Sequence, residues 1–268
     1  LATSGGVGGL EQHTFNLVNE LSLSNEVHII AHPCYADKFN PQVIFHNGIL
    51  YPPHYQDLTA VSWLKTDKTV TVVERIHSSD KHYWWQPALT DFVADYPFAK
   101  SFRQHLLDPI MLNRPAVHWR NYEASYDVKE LEPHSREYYT YGLREYFVPT
   151  ANLLAFAGDM ANILQRHDVN VLNVSIRHAH PDPGSVLAWA PQEVFAFVIY
   201  YRQATDTKSQ QQVDIWSRQL VDAAIKHGGT YYLPYQLNAT AAQFCKAYPR
   251  SSEFFSLKQR YDPQLRFS

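Results

Sequence analysis

The sequence predicts an α+β fold, a mainly antiparallel sheet backed by helices, preceded by a short α/β segment. Three observations predict it. Segments 137–148, 169–178 and 193–202 have the alternating or continuously apolar character of strands. Segments 151–167 and 208–227 instead repeat their apolar residues with the period of a helix. The resulting order, strand–helix–strand–strand–helix–strand, suits helices laid across an antiparallel sheet.

Residues 1–42 have a character of their own. Gly5, Gly6, Gly8 and Gly9 form a glycine-rich loop, followed by a helical stretch with Thr14, Leu17, Val18 and Leu21 on one face, then a strand-like run from Val27 to Ala31. This loop–helix–strand unit resembles the first βα unit of a retaining glycosyltransferase, in which the glycine loop lets the backbone approach a ligand. The resemblance covers about 30 residues and implies ancestry more than activity.

From Val43 the texture changes. Pro52, Pro53, Pro87, Pro97, Pro109 and Pro115 punctuate a turn-rich region containing a predicted helix from Phe98 to Leu107. A Tyr-rich strand then runs from Glu137 to Val148, closed by Pro149, with Thr150 placed to cap the next helix. On that helix Leu153, Ala157, Met160 and Leu164 form the apolar stripe. In the strand from Asn170 to His178, alternation puts Leu172, Val174 and Ile176 on one face and Asn173, Ser175 and Arg177 on the other. Glu193 to Tyr201 is more uniformly apolar, as in a central strand. The helix from Lys208 to His227 carries Val213, Trp216, Leu220 and Ala224 on one side and ends at Gly228 and Gly229. Thr230 to Pro234 is extended, Thr240 caps a short helix, and a last helix stops at Tyr261-Asp262-Pro263.

Composition bounds the function. The 268 residues, 45% hydrophobic and 18% charged, can build a large core. A net charge of −3 gives no pull toward nucleic acid or anionic lipid. Cys34 and Cys245 are too few for a disulfide scaffold, and no apolar run reaches the roughly 18–20 residues of a membrane span. The expectation is a cytoplasmic protein without membrane association. Tyr occurs 18 times, which suits either a pocket for polar organic molecules or a sheet packed with rings.

An ordered set of segments carries a second resemblance: NGILYPPHY, AVSWLKTDKTVTVVER, PAVHWRNYEASYDVKELEP, REYFVP, NVLNVSIRHAHPDPGSVLAWA, FAFVIYY, GGTYYLPYQLNAT and LKQRYDPQLRF. Together, over residues 43–268, they resemble the C-terminal part of FAD-binding oxidoreductases of the vanillyl-alcohol-oxidase superfamily, the group of the aldonolactone and alditol oxidases. The resemblance implies a cap domain whose sheet covers the flavin and forms the pocket for a hydroxylated small molecule. It also implies a separate flavin-binding domain as partner. That domain belongs before Val43, and the chain, opening on Leu1 and stopping at Ser268, is expected to be a fragment without it. The alternatives are a piece of a glycosyltransferase and a non-catalytic cap.

Candidate site residues follow from the resemblance and from their chemistry. The family carries Glu-x-Arg on the cap strand beside the flavin. This chain has Ser175-Ile176-Arg177, so only Arg177 carries over, and its donor fork suits an anionic flavin or a substrate oxygen. Ser175 there removes a base. His178 has the pKa range of a proton acceptor, although alternation places it on the core side, as a structural histidine would be. His178-x-His180 has ligand-like spacing, but no third ligand is spaced to complete a metal site, and none is expected. Tyr235 and Asn238 are candidates for flavin binding; Asn173, Gln236, His118 and Arg120 are candidates for the substrate pocket. A turn leading into the Thr240 cap equally explains residues 235–238.

Overall fold

A computed structural model of the chain describes residues 43–76, 85–112, 116–125 and 135–267. The glycine-rich segment, its helix and strand, and Cys34 lie outside the described residues.

The elements follow the chain as β1 (Val43–Leu50), β2 (Leu58–Leu64), α1 (Trp85–Asp95), α2 (Pro97–Phe102), α3 (Asp108–Leu112), α4 (Arg120–Ala124), β3 (Tyr139–Pro149), α5 (Leu153–Arg166), β4 (Asn170–Ala179), β5 (Val194–Ala204), α6 (Thr207–Lys226), β6 (Thr230–Tyr231), α7 (Ala241–Ala247) and α8 (Ser251–Tyr261). The strands form one six-stranded sheet in the order β2-β1-β4-β5-β3-β6, and every pairing is antiparallel. The three segments expected to be neighbouring strands, β4, β5 and β3, are neighbours, and the fold is α+β as expected.

The main core lies between one sheet face and helices α5 and α6. Phe156, Met160 and Leu164 of α5 and Val213, Trp216, Leu220 and Ala224 of α6 are buried there against Val174, Phe197, Ile199 and Tyr201. Phe156 is fully enclosed between the rings of Phe197 (4.9 Å) and Tyr146 (6.0 Å). Gly142 makes room for this layer. It pairs with Tyr201, and a Cβ at position 142 would stand 2.7 Å from that ring. The tyrosines Tyr146 and Tyr201 therefore serve packing, one of the two uses their abundance suggested.

The second face is covered at its ends. Val93, Ala94 and Ala99 of α1 and α2 pack on Leu172, Tyr141 and Tyr200 at one end. At the other, Ala190 and Trp189 of the β4–β5 connection fold onto Phe147, Val194 and Ala196.

Three local expectations need correction. Leu172 does not share a face with Val174, because a bulge between Val171 and Asn173 shifts the register and turns Leu172 toward α1 and α2. The bulge leaves the Leu172 carbonyl for Arg103, whose Nη1 donates to it at 2.8 Å. The helix expected from Phe98 to Leu107 changes to a π turn at Arg103–Leu107, and Arg103 sits at its start. Thr150 is not a cap: it opens a 3₁₀ turn, Thr150–Asn152, and α5 starts after Asn152 without a side-chain cap.

Other ends behave as their residues dictate. Asp206 accepts from Ser209 N at 3.0 Å to start α6. Gly228, at φ 72°, turns the chain at its C-terminus.

Candidate functional site

Strand register decides what the second face presents. Ser175 pairs with Val198 and Val198 with Glu145; one step along, Arg177 pairs with Ala196 and Ala196 with Phe147. Side chains on those alternate positions share a face. Arg177 from β4 and Glu145 from β3 therefore stand diagonally across the small residues of β5. After β6 the chain returns over this spot: Tyr232 N donates to Glu145 O at 2.9 Å, and the Tyr232 and Tyr235 rings meet edge to face at 4.8 Å.

The electrostatics bind these residues into one group. Burial raises the Glu145 carboxyl above its ordinary range, and the Arg177 charge pulls it partly back. Burial also raises the Tyr235 hydroxyl, with the Glu145 and Tyr232 charges adding and Arg177 opposing. Arg177 itself is exposed, and among the described residues it has no hydrogen-bond or ion-pair partner. Its guanidinium fork faces the solvent beside a half-buried acid and two phenol rings.

The other predicted residues divide by location. Asn173 shares the face, but its Oδ1 accepts from Arg103 Nη2 at 3.0 Å. Ser175 is buried, 7% exposed, and its hydroxyl donates to Asn47 Oδ1 at 2.7 Å, tying β4 to β1. Gln236 belongs to the opposite side of β3. Its Oε1 accepts from the buried Arg144 Nη2 at 2.6 Å and its carbonyl from Nη1 at 3.3 Å. Asn238 is anchored to α6, with Nδ2 donating to Asp214 and its carbonyl accepting from Arg218 Nε at 2.6 Å. Arg144, Glu145, Tyr235, Gln236 and Asn238 line a cleft of ≈ 20 Å³, enough for a single water. His118 lies away from Arg177 in a ring cluster beside β2, 4.3 Å from Trp63 and 5.2 Å from Tyr122; Arg120 is exposed at the start of α4.

The structure adds two residues that the sequence reading missed. Glu145 was signalled only as a lone acid among the alternating apolar positions Leu143 and Phe147. Glu193 leads into β5, and its Oε1 lies 2.9 Å from His178 Nε2. One ligand atom from each of His178, His180 and Glu193 falls within 4.8 Å of the others, so strand pairing supplies the third ligand that linear spacing lacks. His178 faces the helix side, opposite Arg177, with its side chain 3% exposed. Burial lowers its pKa to about 4, with His180 adding and Glu193 opposing.

No protein-family model matches the chain, and a search of curated proteins returns no match. Among the described residues no helix is long and apolar enough to cross a membrane.

Proposed function

We propose that residues 43–268 are the substrate-side portion of an FAD-dependent oxidoreductase, acting on a hydroxylated small molecule such as a sugar lactone or sugar alcohol. The observation that carries this reading is the exposed, unpaired Arg177 set beside the half-buried Glu145 on one sheet face. The donor set fits a flavin: a guanidinium fork that forms no hydrogen bond or ion pair with a protein acid among the described residues, beside phenol rings, suits an electron-poor ring system that gains negative charge on reduction. Arg177 and the Tyr235 hydroxyl would hold it.

A bound flavin supplies the hydride acceptor for carbinol oxidation. This chain's residues orient the substrate and move a proton. Glu145 takes the hydroxyl proton of the substrate, the role lost where Ser175 replaces the family's acid. Its raised pKa moves it toward that of a base working near neutrality. Arg177 fixes a substrate or flavin oxygen through two parallel donors and keeps Glu145 from rising further. Trp189, Phe147 and Ala196 close one end of the face with apolar surface and limit water there.

Melting in the presence of FAD or of a sugar nucleotide tests the proposal. A ligand that binds only the folded chain raises the melting temperature by mass action. FAD is expected to raise it weakly, at high concentration, and the sugar nucleotide to leave it unchanged. A rise with the sugar nucleotide alone would favour the glycosyltransferase alternative and contradict this reading.

A further inference from the structure

At the mouth of the β4–β5 connection, three side chains with metal-ligating atoms converge from two strands. His178 and His180 are two residues apart and leave the same face; their rings lie 5.3 Å apart with planes crossing at 82°. The register pairs His178 with Phe195 and Ala179 with Val194, so the next step sets Glu193 opposite His180. The Glu193 carbonyl accepts from Thr150 N at 3.3 Å, which anchors its backbone, and the His178 ring is wedged edge-on against Phe195 at 5.6 Å. The cluster is thus fixed on its inner side. His180 is exposed and the Glu193 side chain 31% so, which leaves the outer side open to water.

We propose that His178, His180 and Glu193 form a binding site for a divalent first-row transition ion, with Zn²⁺ the best fit. Two imidazole nitrogens and one carboxylate oxygen are the donors zinc takes when three ligands come from protein and the fourth position faces solvent. Calcium and magnesium, which favour oxygen ligands, fit this set poorly. Bonds of about 2.0–2.2 Å put neighbouring donors of a tetrahedral centre roughly 3.3 Å apart. The present spread, up to 4.8 Å, closes with a modest turn of the exposed His180 ring.

The ion ties the end of β4 to the start of β5 and so clips the base of the 181–192 connection. That connection brings Trp189 to 4.4 Å from the Phe147 ring, on the face that carries Arg177. The site lies on the other side of the sheet from Arg177, so the ion is a structural clip and touches no substrate there. It does not depend on the flavin reading.

The test is a titration of the metal-stripped 268-residue chain with zinc chloride, followed by melting and by elemental analysis after dialysis. One ion per chain is expected at micromolar or tighter affinity, with a rise in melting temperature that a chelator reverses. His180→Ala, at an exposed position, is expected to keep the metal-free melting temperature and to weaken binding by at least about tenfold. Glu193→Gln is expected to do likewise, whereas His54→Ala retains full affinity. With Co²⁺ in place of zinc, the original chain is expected to show visible d–d bands that His180→Ala lacks. A chain that takes up no zinc at micromolar concentration would overturn the assignment. So would a His180→Ala/Glu193→Gln double variant that binds as tightly as the original.

Discussion

At the scale of single residues, the chemistry of the proposed site depends on one acid whose surroundings disfavour its charge. Glu145 is half-buried on β3, faced by Arg177 from β4, by neutral Val198 from β5, and by Tyr232 and Tyr235 from the segment after β6. Burial outweighs the Arg177 charge, so the folded chain holds the Glu145 proton to a higher pH than the unfolded chain does. The folded state then binds more protons than the unfolded state between the two pKa values. That contribution to stability is complete below the ordinary carboxylate range and is lost as pH rises through the raised pKa. Glu145→Gln mimics the protonated form. Urea midpoints measured through and above the carboxylate range are expected to fall with pH in the original chain by an amount missing from Glu145→Gln. Identical pH slopes in both would show that Glu145 titrates normally. This residue was poorly legible in the sequence because a lone acid in a strand has no meaning until its cross-strand neighbours are known. Arg177 was legible: its alternation from Ser175 survives, since the bulge in β4 lies upstream, between Val171 and Asn173.

At the scale of elements, local rules held wherever one segment alone decides the outcome. The stripe on α6 needs only a 3.6-residue period, and Val213, Trp216, Leu220 and Ala224 are all buried. The cap of α7 needs only four consecutive residues. Thr240 Oγ1 accepts from Gln243 N at 3.2 Å, and Gln243 Oε1 accepts from Thr240 N at 3.0 Å, which completes a capping box. Gln243 also donates to the Arg218 carbonyl at 3.0 Å, so the box docks α7 on α6. Thr240→Ala is expected to cost about 1 kcal/mol in chemical denaturation, within the usual range for a lost N-cap. A change below a few tenths would mean that Gln243 and helix packing hold α7 without the cap. Local rules failed where a distant partner intervenes. The β4 bulge and the π turn at Arg103 are joined by the bond from Arg103 to the Leu172 carbonyl, between residues 69 apart in sequence. No pattern within either segment announces that contact. The same holds for the His178–His180–Glu193 cluster, which exists only through β4–β5 register.

At the scale of the whole molecule, the sheet has two faces with different tasks. The face under α5 and α6 is a packed core whose largest buried side chains include Tyr146, Tyr201, Phe156 and Phe197, and burial is concentrated there. The opposite face is closed at both ends and carries Arg177 between them. The α+β class, the neighbouring strands and the helices behind them were legible because each long segment has a clear period. The division of labour between faces was only half legible. Ser175 and Asn173 emerge on the Arg177 side as alternation requires, yet Asn47 and Arg103 already engage them. That leaves Arg177 as the exposed, ligand-facing residue of this face with little structural duty. The direct measurement is the melting curve of Arg177→Ala with and without FAD. Without ligand, the loss of stability is expected to stay within about 0.5 kcal/mol, as for an ordinary surface change, and the upward shift that FAD gives the original chain is expected to vanish. A large loss of stability without ligand, together with an undiminished FAD shift, would make Arg177 a structural residue and contradict the central claim.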